Sequence, residues 1–211
     1  MYYLFDMDGV LFNSEPVTVR AAQAVLLEYG VRAEPEDFIP FIGAGDGHFV
    51  GGVAEKYGVA YVPDMKDKLY ENYLVLVKEG LQICPGAKEI LTLLKKRGEK
   101  IALCSSADFI KIKGNTDAAE LPLEIFDALI CGDDVELKKP HPDVFLAAAN
   151  QLGANAKDCL VIEDAVNGIQ AAKNAGMRCA AITSSFSREV LLAEEPDFII
   201  NNLMEIADLP M

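Results

Sequence analysis

Residues 2–9 read YYLFDMDG, and this stretch decides the fold. Its aromatic and aliphatic half is typical of a buried strand, and two carboxylates follow it one residue apart. Because alternate residues of an extended chain point to one side, Asp6 and Asp8 would face the same way if the pleat continues. Buried like charges cost free energy unless a cation or a proton lies between them. Asp8-Gly9 is also a common turn pair, so this stretch alone favours a chemical site and a plain turn about equally.

Strand and helix patterns alternate along the later part of the chain. Apolar runs of strand length lie at residues 100–104, 127–131, 158–162, 178–183 and 197–200. Helical patterns lie at residues 85–98, 142–152, 166–175 and 187–193. This alternation predicts an α/β domain with a parallel sheet.

Residues 14–80 contain helical patterns and no clear strand. Ser14 is the expected N-cap of a first helix that stops at Gly30, a second helix ends near residue 58, and a third spans residues 63–79. We therefore expect an α/β core formed by residues 1–13 and 81–211, with a helical domain, residues 14–80, inserted after the first strand.

The composition of the chain argues against several classes of protein. Hydrophobic residues make up 51% of the chain, which suffices for a core, and the apolar stretches are too short to span a membrane. The chain enters a strand without a secretory leader pattern, and its five widely spaced cysteines include no CxxC pair. We expect reduced core cysteines in a cytoplasmic protein. The net charge of −14 argues against nucleic acid or an anionic membrane as a partner.

Four motifs occur in order along the chain: DMDGV at residues 6–10, Ser105 after a strand, KPHPD at residues 139–143, and the pair Glu163-Asp164 after another strand. Together they resemble the haloacid dehalogenase-like superfamily of phosphoryl-transfer enzymes over nearly the whole chain. The similarity is greatest to the branch with β-phosphoglucomutases and small sugar-phosphate phosphatases. It implies a doubly wound, Rossmann-like sheet with strand order 3-2-1-4-5 and a small helical cap. In that order the motifs end three neighbouring strands at the ligand-binding edge.

The resemblance implies roles for the carboxylates. Asp6 would attack phosphorus and form an aspartyl-phosphate, and Asp8 would be the general acid and then the base that activates water. The implied metal is Mg²⁺, held by Asp6, by Asp164, by the backbone carbonyl of Asp8 and by Glu163 as an auxiliary ligand. From the residues alone, Glu163-Asp164 as a helix cap is the stronger interpretation.

The remaining motifs would hold the phosphoryl group. Lys139, which directly precedes a proline as the family pattern requires, would neutralise its charge, with Lys138 as the competing candidate. Ser105 would donate its hydroxyl, and the backbone N–H groups of Ser106 and Ala107 would add donors at the start of the next helix. Taken singly, a serine at a strand end is more often a turn former, and paired loop lysines are usually solvated.

The insert would act as a lid that excludes water and selects the substrate. We expect Glu15, Gly45, Asp46 and Lys66 to face the substrate, with a glycine-rich turn and a surface lysine as the plain alternative.

Two departures from the mutase pattern favour a phosphatase. Thr18 stands where those mutases have a histidine, and residues 43–47, GAGDG, carry an acid where they have a phosphate-binding arginine. The expected activity is an Mg²⁺-dependent phosphatase for a small phosphate ester such as a sugar phosphate, in a monomer or weak dimer. A β-phosphoglucomutase-type mutase is the alternative. A non-enzymatic phospho-acceptor would not need the lid, and a dehalogenase would not need the second aspartate and the metal site.

Overall fold

A parallel sheet of six strands forms the centre of the fold in the computed structural model, which describes residues 1–210. The strands in chain order are β1 (Tyr2–Phe5), β2 (Phe12–Asn13), β3 (Gln82–Ile83), β4 (Lys100–Cys104), β5 (Ala128–Ile130), β6 (Cys159–Glu163), β7 (Arg178–Ile182) and β8 (Phe198–Ile200). The order across the sheet is β5-β4-β1-β6-β7-β8, and each neighbouring pair is parallel. This order contains the expected run 3-2-1-4-5 and adds β8 as a sixth strand beside β7.

Helices cover both faces of the sheet, as the alternating pattern predicts. The helices in chain order are α1 (Glu15–Glu28), α2 (Asp46–Lys56), α3 (Pro63–Gly80), α4 (Ala87–Lys96), α5 (Phe109–Ala118), α6 (Asp143–Leu152), α7 (Val166–Asn174) and α8 (Arg188–Ala193). Those from α4 onward pack on the sheet. Along β1, Tyr3 and Phe5 join the core beneath α4 and α5, whereas Leu4 joins the core beneath α6 and α7. Alternate strand residues therefore serve opposite faces.

The stretch after β1 is a turn rather than a continued strand. The backbone N–H of Asp6 still bonds to the carbonyl of Ile162 at 3.0 Å, but the N–H groups of Leu11 and Phe12 both bond back to the carbonyl of Met7. The pleat thus ends before Asp8, so the turn and not strand alternation sets the position of its side chain. The condition that the pleat continues through Asp8 is therefore not met, and the chain turns directly after the strand.

The three inserted helices share a hydrophobic core of their own, to which α1 contributes Leu26, α2 contributes Val50, and α3 contributes Leu69 and Tyr73. Where the chain leaves and re-enters the sheet domain, β2 and β3 pair in an antiparallel ladder, which the sequence did not predict. We propose that this ladder marks the boundary of a cap formed by residues 14–80.

The five cysteines are free and buried, which confirms their interpretation as core residues. Within residues 1–210, no helix combines the length and the apolar character that a bilayer crossing requires.

Candidate active site

Three neighbouring strands bring the sequence motifs to one edge of the sheet. Asp6 directly follows β1, Ser105 follows β4, and Glu163 ends β6. One cavity lies over this edge, between the sheet and the inserted helices. Its lining includes ten of the residues singled out from the sequence: Asp6, Asp8, Glu15, Gly45, Asp46, Ser105, Ser106, Ala107, Glu163 and Asp164.

A cluster of buried acids forms the floor of the cavity. Carboxylate oxygens of Asp6, Glu163 and Asp164 lie within 4.8 Å of one another. Burial raises the pKa of Asp6 to about 8 and, together with the charge of Glu163, raises the pKa of Asp164 well above its usual range. A bound dication would relieve this repulsion, and an all-oxygen ligand set suits Mg²⁺. The residues present therefore fit the magnesium site that the resemblance implies. Asp6 and Asp164 each have one oxygen engaged, by Lys139 and Ser185 respectively, and a second oxygen that could hold the ion.

Lys139 supplies positive charge beside this cluster. Its Nζ lies 2.5 Å from Oδ1 of Asp6 and 2.6 Å from Oε1 of Glu163. Burial opposes the charged form, but the two carboxylates outweigh it and raise the pKa of Lys139. Lys138 instead donates to backbone carbonyls, including that of Val135 at 2.8 Å. Of the two candidate lysines, Lys139 is the one placed against Asp6.

The Glu163 carboxylate accepts three hydrogen bonds. One oxygen accepts from Lys139, and the other accepts from the backbone N–H groups of Asp164 (2.9 Å) and Ala165 (3.0 Å) just before α7. A Cβ on Gly168 would overlap the carboxylate, so the helix start packs closely against it. Glu163 thus bonds Lys139 and the start of α7, and its role as an auxiliary metal ligand stays a prediction, since its carboxylate belongs to the same acidic cluster as those of Asp6 and Asp164.

Asp164 faces the cavity next to Gly9 and Ser185. The Ser185 hydroxyl donates to Oδ2 of Asp164, and a Cβ on Gly9 would overlap the same oxygen. Gly9 also has a φ of +78°, so both its conformation and this close approach require glycine. Sequence reasoning missed Ser185. Its one available signal is its position just beyond the carboxyl end of β7, the neighbour of β6.

Asp8 is held by two side chains. Oδ1 accepts from the Ser14 hydroxyl, and Oδ2 accepts from Nζ of Lys111 at 3.2 Å. Ser14 occupies the predicted N-cap position of α1, but its side chain does not cap the helix because it serves Asp8. Lys111, which was missed from the sequence, is buried and also pairs with Asp46 at 3.1 Å.

The loop after β4 carries two buried serines, Ser105 and Ser106. Oγ of Ser105 accepts from the backbone N–H of Ala107 at 3.0 Å, which leaves the Ser105 hydroxyl hydrogen to be donated elsewhere. The expected substrate donor Ala107 is thus already engaged within the loop. Oγ of Ser106 is buried and has no hydrogen-bond partner among residues 1–210.

The expected lid residues divide between two cavities. Glu15, whose pKa is raised by burial and by the charge of Asp8, lines the cavity over Asp6 together with Gly45 and Asp46. Lys66 lies in an adjoining cavity and pairs with Asp108.

Comparisons with known proteins agree with this geometry. The family model described as haloacid dehalogenase-like hydrolase matches residues 3–182. Over 209 residues the chain is 44% identical to the Arabidopsis thaliana protein SUPPRESSOR OF QUENCHING 1, chloroplastic, covering 97% of this chain but 20% of that protein. It is 28% identical to hexitol phosphatase B of Escherichia coli O157:H7, covering 95% of this chain and 89% of that protein.

Among solved structures, a variant of CbbY from Rhodobacter sphaeroides in complex with xylulose-1,5-bisphosphate has a TM-score of 0.88. The match is 26% identical and covers 100% of this chain and 99% of that one. The chain therefore belongs to the haloacid dehalogenase-like hydrolase family.

Proposed function

We propose that this protein is an Mg²⁺-dependent phosphatase of small phosphorylated metabolites that works through an aspartyl-phosphate on Asp6. The observation that carries the proposal is the placement of Asp6 between Lys139 and the acid Asp164, on the floor of a cavity that also holds a second aspartate, Asp8. Hexitol phosphatase B and the sugar bisphosphate complex of CbbY support a phosphorylated sugar or polyol as the substrate class.

The chain's own residues divide the chemistry. Asp6 attacks phosphorus and the ester oxygen leaves with a proton from Asp8; Asp8 then takes a proton from the water that hydrolyses the acyl phosphate. Lys139 and the Ser105 hydroxyl stabilise the charge on the phosphoryl oxygens. Mg²⁺, when bound by Asp6, Asp164 and the backbone carbonyl of Asp8, supplies charge neutralisation for the phosphoryl group and keeps the carboxylates ionised.

A phosphosugar mutase remains the second candidate, and the charges of the cavity disfavour it. A mutase must grip a second phosphate on its bisphosphate intermediate. Within residues 1–210, Lys111 is the one lysine or arginine that lines this cavity, and two carboxylates already pair with it. The Thr18 hydroxyl is also occupied, because it donates to the carbonyl of Ser14 at 3.0 Å. We therefore propose that water, and not a second sugar hydroxyl, is the final acceptor of the phosphoryl group.

We also propose a cytoplasmic location, since five buried free thiols suit a reducing compartment, and a monomer or weak dimer as the working state. Size-exclusion chromatography with light scattering checks the oligomeric state.

The test of function is a panel of phosphate monoesters assayed for phosphate release with and without Mg²⁺. Sugar and polyol monophosphates should be hydrolysed by the wild-type protein but not by Asp6→Asn, while Asp117→Asn, a change at an exposed carboxylate on α5, should leave the rates unchanged. Equal hydrolysis by Asp6→Asn and the wild type would refute the assignment of the nucleophile.

A further inference from the structure

We propose that Lys111 is a positioning residue that keeps the Asp8 side chain oriented for proton transfer. Because Lys111 also pairs with Asp46 of the cap, this orientation depends on whether the cap is docked on the sheet domain. The proposal rests on the proposed function, because it requires Asp8 to be the general acid. It concerns a residue outside the four motifs, on a helix whose bounds the sequence did not reveal.

Lys111 reaches Asp8 from the sheet domain. It lies in the first turn of α5, its side chain is 4% exposed, and its Nζ is 3.2 Å from Oδ2 of Asp8. With the Ser14 hydroxyl on the other oxygen, both carboxylate oxygens of Asp8 have a fixed donor. A carboxyl group held at both oxygens cannot rotate freely, and proton transfer requires an accurately placed donor.

The same ammonium group is bound from the opposite side by the cap. Oδ1 of Asp46, the first residue of α2, lies 3.1 Å from Nζ of Lys111, and Asp46 is itself buried. Its other oxygen accepts from the Tyr70 hydroxyl at 2.9 Å. Nζ of Lys111 also lies 5.2 Å from the ring centroid of Tyr73, which is a further cap residue. One charge from the sheet domain is therefore shared between Asp8 and two cap side chains, Asp46 and Tyr73.

Because Lys111 contacts both Asp8 and Asp46, movement of the cap should change how firmly Asp8 is held. If α2 moves away, Lys111 loses Asp46, and its remaining carboxylate partner is Asp8 in a more hydrated site, where an ion pair is weak and less ordered. When the cap is docked, the ammonium group is buried, and its ion pair with Asp46 strengthens because water is excluded. Nζ of Lys111 then remains fixed as a donor to one oxygen of Asp8, including when the other oxygen carries the proton. Asp8 is then held most firmly when the substrate is enclosed. A second link between the cap and the sheet domain, Lys66 to Asp108, does not involve Asp8.

The experiment compares phosphorylation of the enzyme by an alkyl phosphate and by an aryl phosphate in single turnovers. An aryl leaving group needs little proton donation, so a defect in Asp8 should affect the alkyl ester more. Lys111→Met should slow the alkyl reaction by about 10²-fold and the aryl reaction much less, and Asp46→Asn should show the same selectivity. Lys113→Met, the same change on the exposed face of α5, is the matched control and should leave both rates unchanged.

The second readout is a double-mutant cycle. In the Asp8→Asn background, Lys111→Met should cause no further loss, whereas Lys111→Arg in the wild-type background should restore part of the alkyl rate. Equal losses for both esters, or additive losses in the cycle, would overturn the positioning role.

Circular dichroism and thermal melts establish folding for each variant. Should Lys111→Met fail to fold, Asp46→Asn, which keeps the shape of the side chain, decides the proposal by the same two readouts. If Asp8→Asn itself slows the alkyl and aryl esters equally, the acid assignment of the proposed function fails. If Asp8→Asn is selective and the Lys111 and Asp46 variants are not, only the present inference fails.

Discussion

Glu163 and Lys139 form a buried ion pair, with Oε1 and Nζ 2.6 Å apart and both side chains almost fully covered. Nζ of Lys139 also lies 2.5 Å from Oδ1 of Asp6. Glu163, at the end of β6, therefore contacts the same ammonium group that lies beside the proposed nucleophile. Removing one partner of such a pair leaves an uncompensated buried charge, which is costly. We therefore expect the packing of Glu163 against α7 to affect the proposed chemistry at Asp6.

The first prediction uses the contact between Gly168 and Glu163. In Gly168→Ala the new methyl group overlaps the Glu163 carboxylate and should push it away from Lys139. We expect a lower melting temperature and a kcat about 10²-fold lower, because Lys139 loses its orientation. Gly80→Ala is the control, since a Cβ on Gly80 meets nothing within 4 Å. An unchanged kcat in folded Gly168→Ala protein would show that the pair does not orient Lys139.

The second prediction concerns the metal. Activity should vanish in excess chelator and return with Mg²⁺, because three buried carboxylates surround the site of an anionic substrate. Asp164→Asn removes a proposed ligand charge and should raise the Mg²⁺ concentration needed for half-maximal activity by at least about tenfold. Titration of activity with Mg²⁺ measures this shift. Full turnover in chelator would eliminate the magnesium site.

The third prediction identifies the covalent intermediate. Wild-type protein quenched in acid during turnover of a ³²P-labelled monoester should retain label on Asp6, whereas Asp6→Asn should retain none. Peptide mapping by mass spectrometry locates the phosphoryl group. Label recovered on another residue would show that the nucleophile is wrong.

Much of the fold could be predicted from local patterns. Apolar runs that end in Asp6, Ser105 or Glu163 predict strands whose carboxyl ends meet, and strands β4 to β8 agree with the predicted bounds within about one residue. The short strands β2 and β3 were not predicted. Helix α5 was not delimited because it carries residues of low helix propensity, including Gly114 and Asn115.

The side chains that hold the catalytic carboxylates in place could not be predicted from the sequence. Lys111 and Ser185 meet Asp8 and Asp164 only through tertiary packing. Nothing in the local sequence marks Lys111, and the one signal for Ser185 is its position just after β7. Ser14 is a further example. Its position at the start of α1 predicts a helix N-cap, but its hydroxyl donates to Asp8 instead. Local propensity gives an element's position along the chain, whereas side-chain partners depend on the fold.

The fourth prediction is a pH effect on stability at Asp127, remote from the site. Burial opposes ionisation, but hydrogen bonds from Lys95, from the Ile101 N–H and from Lys100 outweigh it and lower the pKa of Asp127 to about 2. A carboxyl whose pKa falls on folding stabilises the native state above its unfolded pKa of about 4, and this contribution is lost as pH falls towards 2.

Urea unfolding at a series of pH values tests this. Asp127→Asn should be less stable than the wild type near neutral pH, and the difference should shrink below about pH 4. Asp117→Asn, at an exposed carboxylate, should show a much smaller difference at neutral pH. A difference for Asp127→Asn that is constant down to pH 2 would contradict the assigned pKa.

The fifth prediction separates phosphatase from mutase. Both begin with attack by Asp6, so trapping the phospho-enzyme cannot distinguish them. A phosphatase passes the phosphoryl group to water, whereas a mutase excludes water and passes it to a second sugar hydroxyl while cations hold the other phosphate. The cap side of this cavity presents Asp46 and Glu15, and Lys111 is already paired. We therefore expect hydrolysis to dominate.

The measurement supplies the enzyme with Mg²⁺, β-glucose 1-phosphate and a catalytic amount of the corresponding bisphosphate, and follows inorganic phosphate and glucose 6-phosphate together. If this sugar is accepted, phosphate release should exceed glucose 6-phosphate formation, because the cavity, as formed by residues 1–210, has no unpaired lysine or arginine to retain the intermediate's second phosphate. Rapid glucose 6-phosphate formation with little phosphate release would overturn the phosphatase assignment and establish the mutase. The absence of both products would count against this sugar alone, and the monoester panel would then decide the substrate.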